Sequence, residues 1–192
     1  LYKYFNYIAG TKNNSAMTSK KMFRRGWFCA LLGILLFIGN TAFSQRYATN
    51  YVNKYKPVAI HIMNETGIPA SVILGIAMLE SGMGTSKNAR LLYNHFGIVG
   101  RNTLHKKKGV AYRSRYKEFA NAEASFNYFA NMVARKKWFP TMKGNVEYKL
   151  WLKHMNHGGY SSAGHEWVKR VTSMISRYKL YKLDEQMAYT GS

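Results

Sequence analysis

Glu80 closes an apolar run, Val72-Ile73-Leu74-Gly75-Ile76-Ala77-Met78-Leu79, and follows Ile73 by seven residues and Ile76 by four. On a helix these three side chains share one face. A carboxyl group set against an apolar wall is poorly solvated in its charged form. Its pKa rises, and it can hold a proton near neutrality for delivery as a general acid. Ser81-Gly82-Met83-Gly84 follows at once, a turn of mostly small residues that leaves the carboxyl beside open space. The same spacing also fits an ordinary Glu in a last helical turn, solvated or tied to Lys87 or Arg90, and spacing alone leaves both readings open.

The segments around Glu80 read mostly as helix. From about Tyr47 to Glu65, Val52, Tyr55, Ala59, Ile62 and Met63 recur at three-and-four spacing before Gly67. Pro57 inside that run predicts two helices or one kinked helix. The run bearing Glu80 starts near Pro69, suited to a first turn, and ends at Gly82; apolar nearly all round, it is expected to be the central buried helix. Between Ile98 and Phe119, Val110, Tyr112, Ser114 and Tyr116 alternate with Ala111, Arg113, Arg115 and Lys117, which predicts a small β-hairpin. Three more helices follow. One is capped by Asn121 and buries Phe126, Phe129, Ala130 and Val133. One is capped by Asn145 and runs through Trp151, Leu152 and Met155 to Gly158-Gly159. The last, from about His165 to Tyr181, carries the stripe Trp167, Val168, Val171, Met174, Ile175 and Tyr178. The expected class is α+β, mostly α, a helical domain with a small β-hairpin lobe.

Composition narrows the field. The chain has 192 residues, 29 Lys or Arg and 8 Asp or Glu, a formal charge of +21. With 47% hydrophobic and 15% aromatic residues it is too apolar for a disordered polycation. A single Cys excludes an intramolecular disulfide, and the Cys and His spacings match no metal site, so neither a metal nor a cofactor is expected. Residues 1–44 read as a leader. Lys20, Lys21, Arg24 and Arg25 precede the apolar run 27–38, and Ala42-Phe43-Ser44 forms a small-x-small site before Gln45, the pattern of a signal peptide cleaved near Ser44. A signal anchor is the alternative, if the run extends through Phe43. Met17 or Met22 would serve as a start.

Residues 45–192 form one expected domain. The leader holds six of the basic residues, so 23 basic and 8 acidic side chains remain, net +15. Such an excess points to an anionic partner. Export to the periplasm or outside the cell argues against nucleic acid, and no stable membrane insertion is expected after cleavage.

Ala77-Met78-Leu79-Glu80-Ser81-Gly82-Met83-Gly84 and Asn94-His95-Phe96-Gly97-Ile98 resemble the A-x-x-E-S-G-x-G and N-x-F-G-I/V signatures of the bacterial glucosaminidases of glycoside hydrolase family 73, which includes flagellar peptidoglycan hydrolases and autolysins. The similarity continues through Tyr116-Lys117-Glu118-Phe119, Glu123-Ala124-Ser125-Phe126 and Gly159-Tyr160. It ends in Tyr178-Lys179-Leu180-Tyr181 and Asp184, which looks like members from Bacteroidetes. The resemblance implies a lysozyme-like fold with a groove and hydrolysis of the β-1,4 bond after N-acetylglucosamine in peptidoglycan. It implies Glu80 as the general acid, Tyr160 as a tyrosine supporting catalysis or sugar binding, and Asn94 and Phe96 as shaping the groove. Gly82, Gly84 and Gly97 fall to backbone turns.

The departure from the family lies in the second carboxylate. Every ionisable side chain between Glu80 and Glu118 is basic or histidine, apart from tyrosines, so the expected hairpin brings no acid. Either Glu118 activates water, or the substrate's own 2-acetamido oxygen assists departure of the leaving group. Tyr116 and Trp138 complete the expected substrate contacts, Trp138 as the most exposed of the three C-terminal tryptophans. The cluster Lys106-Lys107-Lys108 with Arg113 and Arg115 reads either as a grip on anionic cell-wall polymer or as a solvated loop. A catalytically weak lysozyme-fold protein that binds peptidoglycan strands is the alternative to an enzyme.

Overall fold

The structure is a computed structural model that describes residues 45–106, 109 and 111–187. The expected leader, and Lys107, Lys108 and Val110 of the expected hairpin, lie outside the described residues.

The first helix, α1, covers residues 45–66 without a break. Pro57 does not divide it. Pro57 is on the exposed side, where water can satisfy the Asn53 carbonyl that loses its amide partner. Helix α2, Ala70–Ser81, is buried along nearly its whole length, and Gly82 closes it in the left-handed conformation. Its N-cap position is Pro69, which offers no side-chain oxygen. Asp184, 113 residues further on, supplies the cap: its Oδ1 accepts from the Ser71 amide at 2.9 Å and its Oδ2 from the Ser71 hydroxyl at 2.5 Å. Asp184 is buried there, and burial pushes its carboxyl up to about 6 against those hydrogen bonds.

Helix α3, Lys87–Leu92, is short and capped by Ser86, whose hydroxyl accepts from the Ala89 amide. Helix α4, Ala122–Ala134, is capped by Asn121 as expected and buries Phe126, Phe129, Ala130 and Val133. After one turn, α5 (Phe139–Met142), come α6 (Tyr148–His157) and α7 (Gly164–Arg177). Asn145 does not cap α6; its side chain instead accepts from the Glu147 amide, tightening the turn before the helix. Lys179 turns left-handed after α7, and a 3-10 stretch, Leu180–Gln186, replaces the expected continuation of the last helix. Helix α2 packs against α7, α6 and this stretch, so the centre of the core is the helix that carries Glu80 in its last turn.

Among the described residues the expected hairpin lobe shows one antiparallel bridge and no strand ladder. Val99 pairs with Tyr116, flanked by Gly100 N–H to Arg115 O, Lys117 N–H to Ile98 O and Glu118 N–H to Arg101 O. Side-chain amides take over what a ladder would do. Asn102 donates to the carbonyls of Ser114 and Tyr116, and Asn94 to those of Ile98 and Lys117. Among the described residues, the alternation in 111–117 therefore marks an extended segment held by asparagines. Among the described residues no helix is long and apolar enough to cross a membrane.

Candidate active site

Glu80 sits in the last turn of α2, half-buried. Its Oε1 accepts a hydrogen bond from the indole Nε1–H of Trp167 at 2.9 Å. Its Oε2 lies 3.3 Å from the point where a Cβ on Gly97 would stand, and the Tyr116 ring comes within 3.9 Å of the same point. Gly97 has φ +65°, so both its backbone and the nearness of the carboxylate favour glycine. Burial raises the Glu80 pKa, opposed by the Trp167 hydrogen bond and then by the positive charge of Arg170. Lys87 lies over the Tyr112 ring instead of pairing with Glu80.

An aromatic wall backs the carboxyl. The Trp167 and Tyr160 rings are 5.1 Å apart, Tyr160 meets Phe129 edge-on at 5.9 Å, and Phe129 stacks on Phe96 at 4.3 Å. The Tyr160 hydroxyl donates to the Phe96 carbonyl at 3.1 Å. Burial, and next the negative charge of Glu80, push its phenol well above the usual range, so Tyr160 remains a neutral donor.

The 94–98 loop that carries Gly97 is fixed from within. Asn94 is buried; its amide donates to Ile98 O and Lys117 O, and its Oδ1 accepts from the amides of Phe96 and Ile98. These four bonds occupy its polar atoms, so Asn94 holds the loop. Phe96 is buried beneath it. His95 points the other way, into a polar knot: its Nδ1 shares a hydrogen bond with the Tyr51 hydroxyl at 2.8 Å, and the Ser81 hydroxyl reaches Tyr51 at 3.4 Å. Burial, and then Lys54, lower the His95 pKa to about 4, so the ring is neutral over the physiological range.

The remaining expected residues spread out. Glu118 Oε2 accepts from both the amide and the hydroxyl of Thr103, at 2.7 and 2.6 Å. Trp138 is the most exposed of the three C-terminal tryptophans, as expected, but still half-buried, stacked on His154 at 5.3 Å and edge-on to Trp151 at 5.8 Å. It lines a shallow apolar recess with Met132, Val133, Met155 and Tyr160, on the side of Tyr160 that belongs to α4 and α6. Among the described residues no three His, Cys, Asp or Glu side chains converge as a metal site. Sequence reasoning missed Trp167 as a partner of Glu80, placing it only in the core stripe of α7. The signal available was its position at the start of that stripe, where an indole can be buried and still aim its N–H at a neighbouring helix.

The mostly helical domain has the fold of a lysozyme-like glycoside hydrolase. Residues 56–180 match the glucosaminidase family, described as mannosyl-glycoprotein endo-beta-N-acetylglucosaminidase, and the chain belongs to that family. Solved structures of the same fold include the catalytic domain of the autolysin Auto from Listeria monocytogenes, at 18% identity and a TM-score of 0.57, over 71% of this chain and 87% of that one. The glycoside hydrolase domain of FlgJ from Salmonella typhimurium is similar at 18% identity and a TM-score of 0.54, over 70% of this chain and 90% of that one. A C-terminally truncated form of that domain aligns with the same TM-score over 69% and 97%. No curated protein matches the chain.

Proposed function

We propose that this glycoside hydrolase cleaves the β-1,4 bond after N-acetylglucosamine in peptidoglycan, with Glu80 as the general acid. The observation that carries the reading is the Glu80 carboxyl itself: burial raises its pKa, Trp167 fixes one oxygen, and the other faces the loop at Gly97. Glu80 delivers its proton to the departing glycosidic oxygen, and Tyr160 stands beside it as a neutral hydroxyl.

No second carboxylate serves as readily. Glu118 is engaged by Thr103, Glu65 pairs with His61, Glu166 with Lys169, and Asp184 caps the far end of α2. Glu123 and Glu147 sit at the N-terminal ends of α4 and α6, and Glu185 is exposed in the C-terminal stretch. This distribution supports assistance by the substrate. Its acetamido oxygen attacks the anomeric carbon as the C–O bond breaks, and the leaving hydroxyl takes the Glu80 proton. Water then opens the oxazolinium ring and returns a proton to Glu80, with retention of configuration. The leader and the net +15 of residues 45–192 support action on the cell wall outside the cytoplasm, where the basic surface meets anionic polymer.

Hydrolysis of purified peptidoglycan by Glu80→Gln and Glu118→Gln variants tests both parts. Glu80→Gln is expected to be inactive, and surviving turnover would remove Glu80 from the acid role. Glu118→Gln is expected to keep its turnover; loss of activity with the fold intact would make Glu118 the base.

A further inference from the structure

Helices α2 and α7 cross unusually closely at Gly75. A Cβ at this position would lie 2.6 Å from Cγ1 and 3.2 Å from Cδ1 of Ile175, and 3.4 Å from Cγ1 of Val171. Gly75 is buried in the middle of a helix and has no left-handed backbone to accommodate, so glycine costs about 0.5–1 kcal/mol there relative to alanine. Ile175 is β-branched and strongly restricted in χ1 within a helix, so it cannot easily swing clear.

The consequence appears at the other end of the crossing. Glu80 lies five residues beyond Gly75, about 7.5 Å along α2 at the helical rise. Trp167 lies one to two turns before Val171 and Ile175 on α7, which runs the opposite way, and helical side chains lean toward their own N-terminus. The depth to which α7 settles at Gly75 therefore sets how far the indole stands from the carboxyl. The ring has little freedom of its own, being buried and packed against Tyr160 at 5.1 Å.

We propose that Trp167 is the positioning residue for Glu80, orienting its carboxyl and setting its proton affinity, and that the glycine-to-isoleucine contact between α2 and α7 fixes the distance at which it does so. This rests on the reading of Glu80 as the acid, but its physical content does not. The indole N–H at 2.9 Å favours the charged carboxylate and offsets part of what burial does. It also fixes Oε1, so that Oε2 is the oxygen turned toward Gly97.

The test is the titration of the Glu80 carboxyl by carbon NMR, with pH profiles of kcat/KM on soluble peptidoglycan fragments. Trp167→Phe keeps an aromatic ring and removes the donor. Glu80 is expected to titrate about one unit higher, a tenfold change in proton affinity, and the alkaline limb should move up with it. The plateau kcat should fall about tenfold while KM stays within about twofold. Gly75→Ala leaves both site residues in place and adds a helix-favouring methyl, and it is expected to shift the Glu80 titration in the same direction. Ile175→Ala added to Gly75→Ala makes room for the methyl and should return the titration toward the wild-type value. An unchanged Glu80 titration in Trp167→Phe overturns the positioning role, and an unchanged titration in folded Gly75→Ala overturns the part played by the crossing. If Glu80→Gln stayed active while these titrations shifted as stated, the functional reading would fail and the positioning inference would stand.

Discussion

Asp184→Ala tests how the C-terminal stretch supports the central helix. In the wild type the carboxyl takes the Ser71 amide and hydroxyl, while Pro69 provides no cap of its own. Removing it costs about 1 kcal/mol for a lost N-cap. Leaving the Ser71 donors buried without a partner adds about 1–3 kcal/mol. The sum, about 3 kcal/mol, corresponds to a fall in Tm of about 10 °C for a domain of this size. The measurement is thermal unfolding at pH 5, below the folded pKa of about 6. Because that pKa is raised above the unfolded value, the group's contribution is full below about 4 and declines as pH rises through about 6. The penalty should accordingly shrink toward pH 8. Ser71→Ala combined with Asp184→Ala should cost less than the sum of the two by about 1 kcal/mol or more. Ser71 is nine residues from Glu80, about 13 Å along the helix, so kcat at 25 °C should be close to wild type. A Tm within about 2 °C of wild type at pH 5, or strictly additive single changes, would refute the cap.

Three further outcomes are expected. His95→Gln should flatten the acid side of the stability curve. The folded pKa of about 4 lies below the unfolded value near 6.5, so His95 contributes stability above about 6.5 that is lost as pH falls through 4, at most about 3 kcal/mol, followed by chemical denaturation between pH 4 and 7. Gly97→Ala places a methyl 3.3 Å from Glu80 Oε2 on a backbone with φ +65°, and should lower kcat by about tenfold or more with a stability loss of about 1–2 kcal/mol, read by turnover and melting together. Retention on insoluble peptidoglycan should fall steeply between about 0.05 and 0.5 M salt as screening shortens the reach of the basic surface, and salt-independent binding in a sedimentation assay would count against the electrostatic grip.

Helix α2 was legible because a buried helix is written in its own residues: an uninterrupted apolar run with a proline before it and a glycine after. The helix α4 cap was legible for the same local reason, an asparagine three residues before the amide it accepts from. What was not legible depended on partners far along the chain. Alternation in residues 110–117 could not reveal that Asn94 and Asn102 would bind the carbonyls a second strand would need. Helix α3 spans six residues, too few to show a period, and only Ser86 marks its start. The stripe Trp167, Val171, Ile175 was rightly expected in the core, yet periodicity reports which face is buried, not whether a ring nitrogen finds a carboxylate 87 residues away.

The placement of Glu80 at the C-terminal end of α2 has an electrostatic consequence. Aligned peptide dipoles give a helix a partial positive charge at its start and a partial negative charge at its end. The Asp184 carboxyl at Ser71 meets the positive end, and the Glu80 carboxyl meets the negative one. A negative potential there favours retention of the proton before reaction. Under the proposed mechanism the same potential would favour the positive charge that spreads over the ring oxygen and anomeric carbon during bond cleavage, so one helix end would serve both the protonated carboxyl and the developing cation.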